Sequence, residues 1–182
     1  MNRLLLAGSL SLLLSFSVSA APTDAYTQRD VMQCGGVEVV LVSSCRSVTV
    51  QANEDQLLPV CSDQTINIGG KLLRRDIDKV SQRTSDGSVT SMLSNVVVTM
   101  DCLNGTKGSL VSIGGYGGCG ACPEWCGYYS TAGQLKQYSY SNAYRSFGSK
   151  GSSEELIKAY GVTAKQLREE SPTLKRISYG QP

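Results

Sequence analysis

The chain has 182 residues, with 17 basic and 15 acidic side chains, seven cysteines and no histidine. The absence of histidine excludes a Ser-His-Asp or Cys-His catalytic centre, an HExxH metalloprotease helix and a His-ligated metal site. Because the net charge is only +2, the composition also argues against a nucleic-acid partner, which usually needs a strong basic excess.

Residues 1–20 have the pattern of a secretory signal peptide. Arg3 precedes an apolar run from Leu4 to Leu14, and the small residues up to Ala20 match a signal peptidase site. The apolar run is much shorter than the roughly 20 residues that a membrane span needs. We therefore expect cleavage after Ala20, a periplasmic or extracellular location, and no membrane span in the mature chain.

The mature part is long enough for one domain with a real core. The polar residues 21–33 predict a flexible lead-in, and residues 34–182 predict a single β-rich domain. The β-branched stretch that begins at Val37 predicts a strand, and residues 47–51 and 57–60 predict a hairpin around a polar turn.

The next stretch predicts a change of structure. Residues 65–73 indicate a strand broken by two glycines, after which Leu73, Ile77 and Val80 have the i, i+4, i+7 spacing of a short amphipathic helix. The polar residues 81–88 then predict a loop.

Two hairpins are predicted in the second half of the domain. Residues 94–103 and 108–115 are β-rich and flank the turn dipeptide Asn104-Gly105. Residues 126–130 and 135–141 flank a second turn, and the alternation of a strand places Tyr138 and Tyr140 on one face.

Residues 152–171 predict a helical segment. Ser152 followed by Glu155 is a capping box for a helix that ends at Gly161, and Thr163 with Gln166 repeats the signal for a second short helix. The fold class predicted is therefore α+β, mainly antiparallel β built from hairpins, with short C-terminal helices and disulfide staples in a single domain.

All seven cysteines lie in the part that we expect to reach an oxidising compartment, so most should form disulfides, and the odd number leaves one over. Cys45 and Cys61 lie symmetrically about Asn53 at the centre of the first predicted turn, which predicts a bridge between them. An extended Val37–Ser44 segment would hold Cys34 too far from Cys45 to pair with it. The remaining disulfide candidates are Cys34, Cys102, Cys119, Cys122 and Cys126.

Residues 114–130, GGYGGCGACPEWCGYYS, form a glycine–aromatic segment that contains the chain's only tryptophan. A phosphate loop is excluded because the segment lacks the lysine and hydroxyl of GxxxxGK[ST]. Three cysteines, with Cys102 or Cys34 as a fourth, could ligate zinc, but oxidation competes with metal capture in an exported protein. We therefore expect no metal and no cofactor.

Among the alternatives for this segment, a redox site is the one that its residue types support best. In the CxxC motif, Cys119 would be the nucleophile and Cys122 the resolving thiol of a thiol–disulfide oxidoreductase. A reactive thiolate needs a helix N-terminus or a cation nearby, whereas the residues after Cys122 predict a strand and include Glu124.

A hydrolase with two carboxylates is a further alternative, although the spacing of the acidic residues singles out no pair.

The leading hypothesis is a non-enzymatic binding protein. In this interpretation disulfides fix the glycine–aromatic segment to the sheet, and Tyr116, Trp125 and Tyr128 contact a partner protein or an envelope component, because Trp and Tyr dominate binding hot spots.

Overall fold

The computed structural model of the protein describes residues 25–49, 57–74, 79–83, 87–116, 124–141, 146–168 and 171–179. These residues form an antiparallel β structure with one α-helix. The strands are β1 (Ala25–Cys34), β2 (Val37–Thr49), β3 (Leu57–Ile68), β4 (Lys71–Arg74), β5 (Lys79–Arg83), β6 (Val89–Leu93), β7 (Val96–Asn104), β8 (Ser109–Tyr116), β9 (Glu124–Ser130), β10 (Leu135–Ser141), β11 (Ser146–Lys150) and β12 (Lys175–Arg176), and the helix is α1 (Ser153–Tyr160). None of the described helical residues forms a segment long and apolar enough to cross a membrane.

Two sheets enclose the main core. Sheet A has the strand order β1-β2-β3-β4, sheet B has the order β11-β10-β9-β8-β7-β12, and β5 pairs with β6 as a separate hairpin. One face of each sheet supplies buried apolar residues, so the architecture is a β-sandwich. The buried members of this core are Cys34, Val39, Leu41, Ile66, Ile68, Val97, Met100, Cys102, Val111, Ile113, Tyr129 and Ile177.

Glycine pairs make the tight turns of sheet A. Gly35 and Gly36 join β1 to β2, Gly69 and Gly70 join β3 to β4, and all four have positive φ between 56° and 87°. Two successive residues with positive φ match the twist of antiparallel strands, so these turns bring the chain straight back into register.

Helix α1 covers the outer face of sheet B. Its capping box is present as predicted, since Ser152 Oγ accepts from Glu155 N and the Glu155 carboxylate accepts from Ser152 N. Leu156 is buried and packs with Leu103 and Leu110, which are register partners on β7 and β8. The helix therefore forms a small second core on the side of sheet B that faces away from sheet A.

Residues 171–179, the C-terminal strap, close one side of the sandwich along sheet B. Lys175 and Arg176 pair with Met100 and Thr99 of β7, and Ile177 N donates to Val98 O at 2.8 Å. The strap thereby covers the part of the β7 edge that it pairs with.

The same strap also contacts β1 at the edge of sheet A. Lys175 Nζ lies 2.9 Å from Asp30 Oδ1, whose side chain is only 13% exposed, and Gln28 Nε2 donates to Ser178 O at 3.1 Å. The strap thus bridges the edge strands of the two sheets.

A buried polar network at the end of the strap joins both sheets. Gln64 donates from Nε2 to Tyr179 Oη at 2.7 Å and to Ser43 Oγ at 2.9 Å, and its Oε1 accepts from Val97 N at 2.8 Å. Tyr179 Oη donates to Val97 O. Val97 adjoins a β-bulge in β7, where ladder pairing is interrupted, so the network satisfies backbone groups next to that interruption.

The lead-in expected at residues 21–33 is wrong from residue 25 onward, because Ala25–Cys34 forms strand β1. Ten consecutive register pairs join β1 to β2, from Ala25↔Arg46 to Cys34↔Val37. This strand lacks a clear alternation of apolar and polar residues, because several inward-facing residues, such as Gln28 and Asp30, are polar.

The amphipathic helix expected at Leu73–Val80 is also wrong. Leu73 lies in β4 opposite Ile66, and Val80 lies in β5 opposite Met92; Ile77 lies outside the described residues. Residues 81–83 of the predicted loop likewise belong to β5. The turn at Gly69 and Gly70 places residues 71–74 beside β3, and this pairing overrides the helical spacing.

The C-terminal helices expected at residues 152–171 reduce to one. Thr163 and Gln166 make the predicted capping hydrogen bonds, at 2.8 and 3.1 Å, but residues 164–168 form a turn and not a helix. A single turn gains too few hydrogen bonds to offset the cost of helix nucleation. Strand β11 at Ser146–Lys150 was not predicted.

The described residues form two disulfides, one within sheet A and one between the two sheets. Cys45 and Cys61 are bonded as the hairpin symmetry predicts, and the bulge in this hairpin lies between Ser44 and Cys45, on the side away from the turn. Cys34 and Cys102 bond to each other, with Cα atoms 5.2 Å apart. This second pairing, which the sequence left open, links β1 of sheet A to β7 of sheet B.

Candidate functional site

The glycine–aromatic segment is described at residues 114–116 and 124–130, which belong to β8 and β9. Cys119 and Cys122 lie outside the described residues, so the redox and metal hypotheses on them stay predictions. The fourth ligand suggested for a zinc site is corrected, because Cys34 and Cys102 are both consumed by their disulfide. Within the described ranges, no group of three His, Cys, Asp or Glu side chains is placed to hold a metal ion.

Strand alternation divides the three predicted binding residues between two faces. Along β9, Trp125 shares the face of Gly127 and Tyr129, whereas Tyr128 lies on the opposite face. Tyr116 pairs with Glu124 and so also lies opposite to Trp125. The three aromatic residues therefore do not form one surface, which corrects the grouping that the sequence suggested.

Trp125 lies at the border of the main core. It is partly buried and packs against that core, with its ring centroid 6.2 Å from that of Tyr129. A Cβ built on Gly127 would lie 2.5 Å from Trp125 Cη2 and 2.7 Å from Cζ2. The six-membered ring therefore occupies the space above Gly127 and lies along β9, which explains why a glycine is needed at 127.

Two further tyrosines share this face on the next strand. Tyr140 pairs with Trp125, and Tyr138 pairs with Gly127. Both tyrosines are partly exposed. We call Trp125, Tyr138 and Tyr140 the aromatic ledge. The alternation in residues 135–141 placed the two tyrosines on one face, but the sequence could not show that Trp125 lies beside them.

The ledge lies on strands β9 and β10, which have few contacts with sheet A. Sheet B has six strands and sheet A four, and sheet A makes its main contacts with β7 and β8. On the other side of Tyr140, strand β11 places Gly148 opposite it, and Lys150 lies opposite Tyr138. Lys150 is the one charged residue among the described register partners of the ledge.

The opposite face of β9 carries a partly buried thiol. Cys126 is outside the two disulfides, and burial raises the pKa of its thiol despite hydrogen bonds with Tyr128 and Ser112, which lower it. Since the thiolate is the nucleophile, this environment disfavours reactivity.

Tyr128 has a structural role in the same place. Its hydroxyl donates to Leu167 O at 3.1 Å, and burial, followed by the charge of the nearby Cys126 group, raises the pKa of the phenol well above its ordinary value. Tyr128 therefore holds the turn after α1 on sheet B, and we remove it from the binding candidates.

Comparison with protein-family models, with curated proteins and with solved structures finds no significant match.

Proposed function

We propose that the protein is an exported, disulfide-stabilised binding protein without catalytic activity, and that it contacts its ligand through the aromatic ledge. The single observation that carries this proposal is the alignment of Trp125, Tyr138 and Tyr140 on one partly exposed face of two paired strands. Large amphipathic rings of this kind supply much of the energy of binding surfaces.

The proposed compartment rests on residues 1–20 and on the cysteines. A signal peptide would deliver the chain to an oxidising environment, and the disulfides Cys34–Cys102 and Cys45–Cys61 are compatible with it. With a near-neutral net charge, the proposed ligand is not a nucleic acid.

The chemistry of the described residues supports a non-enzymatic role. The chain has no histidine, and burial raises the pKa of the Cys126 thiol. Strand β9 begins at Glu124, two residues after the CxxC motif, so the helix that stabilises a reactive thiolate in many oxidoreductases does not follow directly. The protein should therefore reduce insulin no faster than an equal concentration of free dithiol, and a faster rate that is lost in Cys119→Ser would establish the oxidoreductase alternative.

Cosedimentation with the insoluble envelope fraction of the producing cell tests the binding proposal. Tyr140→Ala is the informative variant, because Trp125 also packs against the core and its removal would disturb the fold. We expect Tyr140→Ala to reduce the bound fraction about tenfold, while Ser139→Ala binds as the wild type does. Ser139 is exposed and lies between the two tyrosines on the opposite face, so it is a matched control.

Circular dichroism and urea unfolding should show that both variants remain folded. Equal binding by Tyr140→Ala and the wild type would remove the ledge from the proposed function. Absence of binding by the wild type would remove the envelope as the location of the ligand.

A further inference from the structure

We propose that the aromatic ledge binds the apolar faces of successive sugar rings in an extended β-1,4-linked polysaccharide. This inference rests on the proposed function and names the chemical class of its ligand. The equatorial linkages of such a polymer keep the chain flat, so that each pyranose ring presents a face of C–H groups. These groups carry partial positive charge, which complements the negative face of an aromatic ring.

The spacing of the ledge suits a repeating ligand. Trp125 and Tyr140 are direct register partners on neighbouring antiparallel strands, which lie about 4.8 Å apart. Tyr138 is two residues further along β10, on the same face, and lies beside the Trp125 ring because that ring extends over Gly127. The three residues are thus neighbours on one face at the spacing of paired strands, which is comparable to the length of one pyranose unit.

The two tyrosines of the ledge each have a glycine as a register partner. Gly127 on one side and Gly148 on the other are the register partners of Tyr138 and Tyr140, so neither contributes a side chain that would cover a tyrosine ring. The closest side-chain atom to a Cβ built on Gly148 is Tyr138 Oη, at 3.8 Å. Tyrosine rings that their register partners do not cover can stack on a flat sugar chain, whereas a protein partner usually needs pockets for its anchoring side chains.

The charges around the ledge favour a weakly charged ligand. None of its three members is an acidic or basic residue, and Lys150 at the β11 end is exposed. A strongly anionic polymer such as a nucleic acid would require several cations. A phenol hydroxyl, such as that of Tyr138, both donates and accepts, so it can exchange hydrogen bonds with sugar hydroxyls.

Tryptophan fluorescence gives a direct measurement of this binding, because Trp125 is the only tryptophan. The folded protein should be titrated with cellohexaose and with chitohexaose, two soluble β-1,4-linked hexasaccharides. We expect a saturable change in the emission of Trp125, and no change with the corresponding monosaccharides at equal sugar concentration. Tyr140→Ala should raise Kd about tenfold, while Ser139→Ala should leave it unchanged.

Pull-down on insoluble cellulose, chitin and peptidoglycan extends the test to polymers. Binding to at least one polymer that is weakened by Tyr140→Ala, together with the fluorescence change, supports the inference. If neither hexasaccharide nor any polymer binds, the inference is overturned.

Enzymatic treatment of the envelope fraction separates this failure from failure of the proposed function. If binding to the envelope is lost after protease treatment but survives glycosidase treatment, the ligand is a protein and only the glycan inference fails. If the wild type binds neither the envelope nor any polysaccharide, both proposals fail.

Discussion

Trp125 and Cys126 are neighbours in the chain, yet they lie on opposite faces of sheet B. The indole packs at the border between the main core and the ledge, while the thiol lies with Tyr128 and Ser112 on the outer face of the sheet. The sequence could identify these residues as unusual, but it could not assign their faces. Assignment requires the register of β9 with β8 and β10, and this register depends on backbone partners rather than on local composition.

The partly buried thiol of Cys126 should make the free energy of unfolding depend on pH in the alkaline range. Below its ordinary pKa of 9.0, the thiol is protonated in both the folded and the unfolded state. Above that pH the unfolded chain releases the Cys126 proton first, because burial raises the folded pKa, so the free energy of unfolding falls as pH rises towards the folded value.

We therefore expect the wild type to lose about 1 kcal/mol per pH unit more than Cys126→Ala over this interval. Urea unfolding of both proteins at a series of pH values above neutrality measures the difference in slope. The other titrating groups are present in both proteins, and Tyr128, whose pKa the Cys126 group also raises, adds to the difference in the same direction. Parallel slopes would show that the folded protein does not keep this thiol protonated.

At the scale of elements, the hairpins were predictable where turn chemistry is strong. The turn between β7 and β8, at residues 105–108, begins one residue after the predicted Asn104, and the turn between β9 and β10 lies where the sequence placed it. Strand β1 was not predicted, and the strand at residues 71–74 was predicted only as far as Leu73, where the helical spacing begins. Their local sequences lack clear alternation or imitate a helical spacing, and both become strands because a glycine turn folds them against a neighbour.

The C-terminal end of helix α1 lies close to the turn between β7 and β8, and a glycine makes this contact possible. Gly161 ends the helix with φ of 69°. A Cβ at this position would lie far inside the van der Waals distance of Thr106 Oγ1, in the turn after β7. Backbone bonds from Thr106 N to Gly161 O, at 3.2 Å, and from Lys107 N to Tyr160 O, at 2.9 Å, complete the contact. The helix end therefore rests directly on the turn.

We predict that Gly161→Ala destabilises the protein by about 3 kcal/mol, through backbone strain and through this collision together. Gly36→Ala is the matched control, because Gly36 also has positive φ, 80°, but a Cβ there would meet nothing within 4 Å. It should lose only about 1 kcal/mol from strain. Urea unfolding gives both values, and equal losses would mean that the helix end does not need close contact with the turn.

At the scale of the whole molecule, the C-terminal strap explains why polar residues of β1 face inward. Gln28 and Asp30 of β1 face inward although they are polar, and their partners, Ser178 and Lys175, lie near the other end of the chain. The Cys34–Cys102 disulfide joins the same two sheets across a sequence separation of 68 residues. Pairings over such distances leave no periodic signal, which is why the lead-in prediction failed while the short-range Cys45–Cys61 pairing could be predicted.

The strap should contribute to global stability mainly through Tyr179. Its hydroxyl accepts from Gln64 Nε2 and donates to Val97 O, so it connects the strap, sheet A and the bulged part of β7. Tyr179→Phe keeps the ring but leaves the Val97 carbonyl without this donor, and an unsatisfied buried polar group costs about 1–3 kcal/mol. We therefore expect a loss of about 2 kcal/mol in the free energy of unfolding. Tyr116→Phe, whose hydroxyl lies outside this network, should lose less than about 0.5 kcal/mol.

Urea unfolding followed by circular dichroism measures both variants, and native-state hydrogen exchange adds the location of the effect. In Tyr179→Phe, exchange should accelerate at the backbone amides of Val97 and Ile177, because the first is held by Gln64 and the second by Val98 O. Exchange at Leu110 and Val111, in the middle of sheet B, should follow only the global loss of stability. If Tyr179→Phe is no less stable than Tyr116→Phe, the two sheets are held together by the core and the disulfide, and the strap only covers the edge of β7.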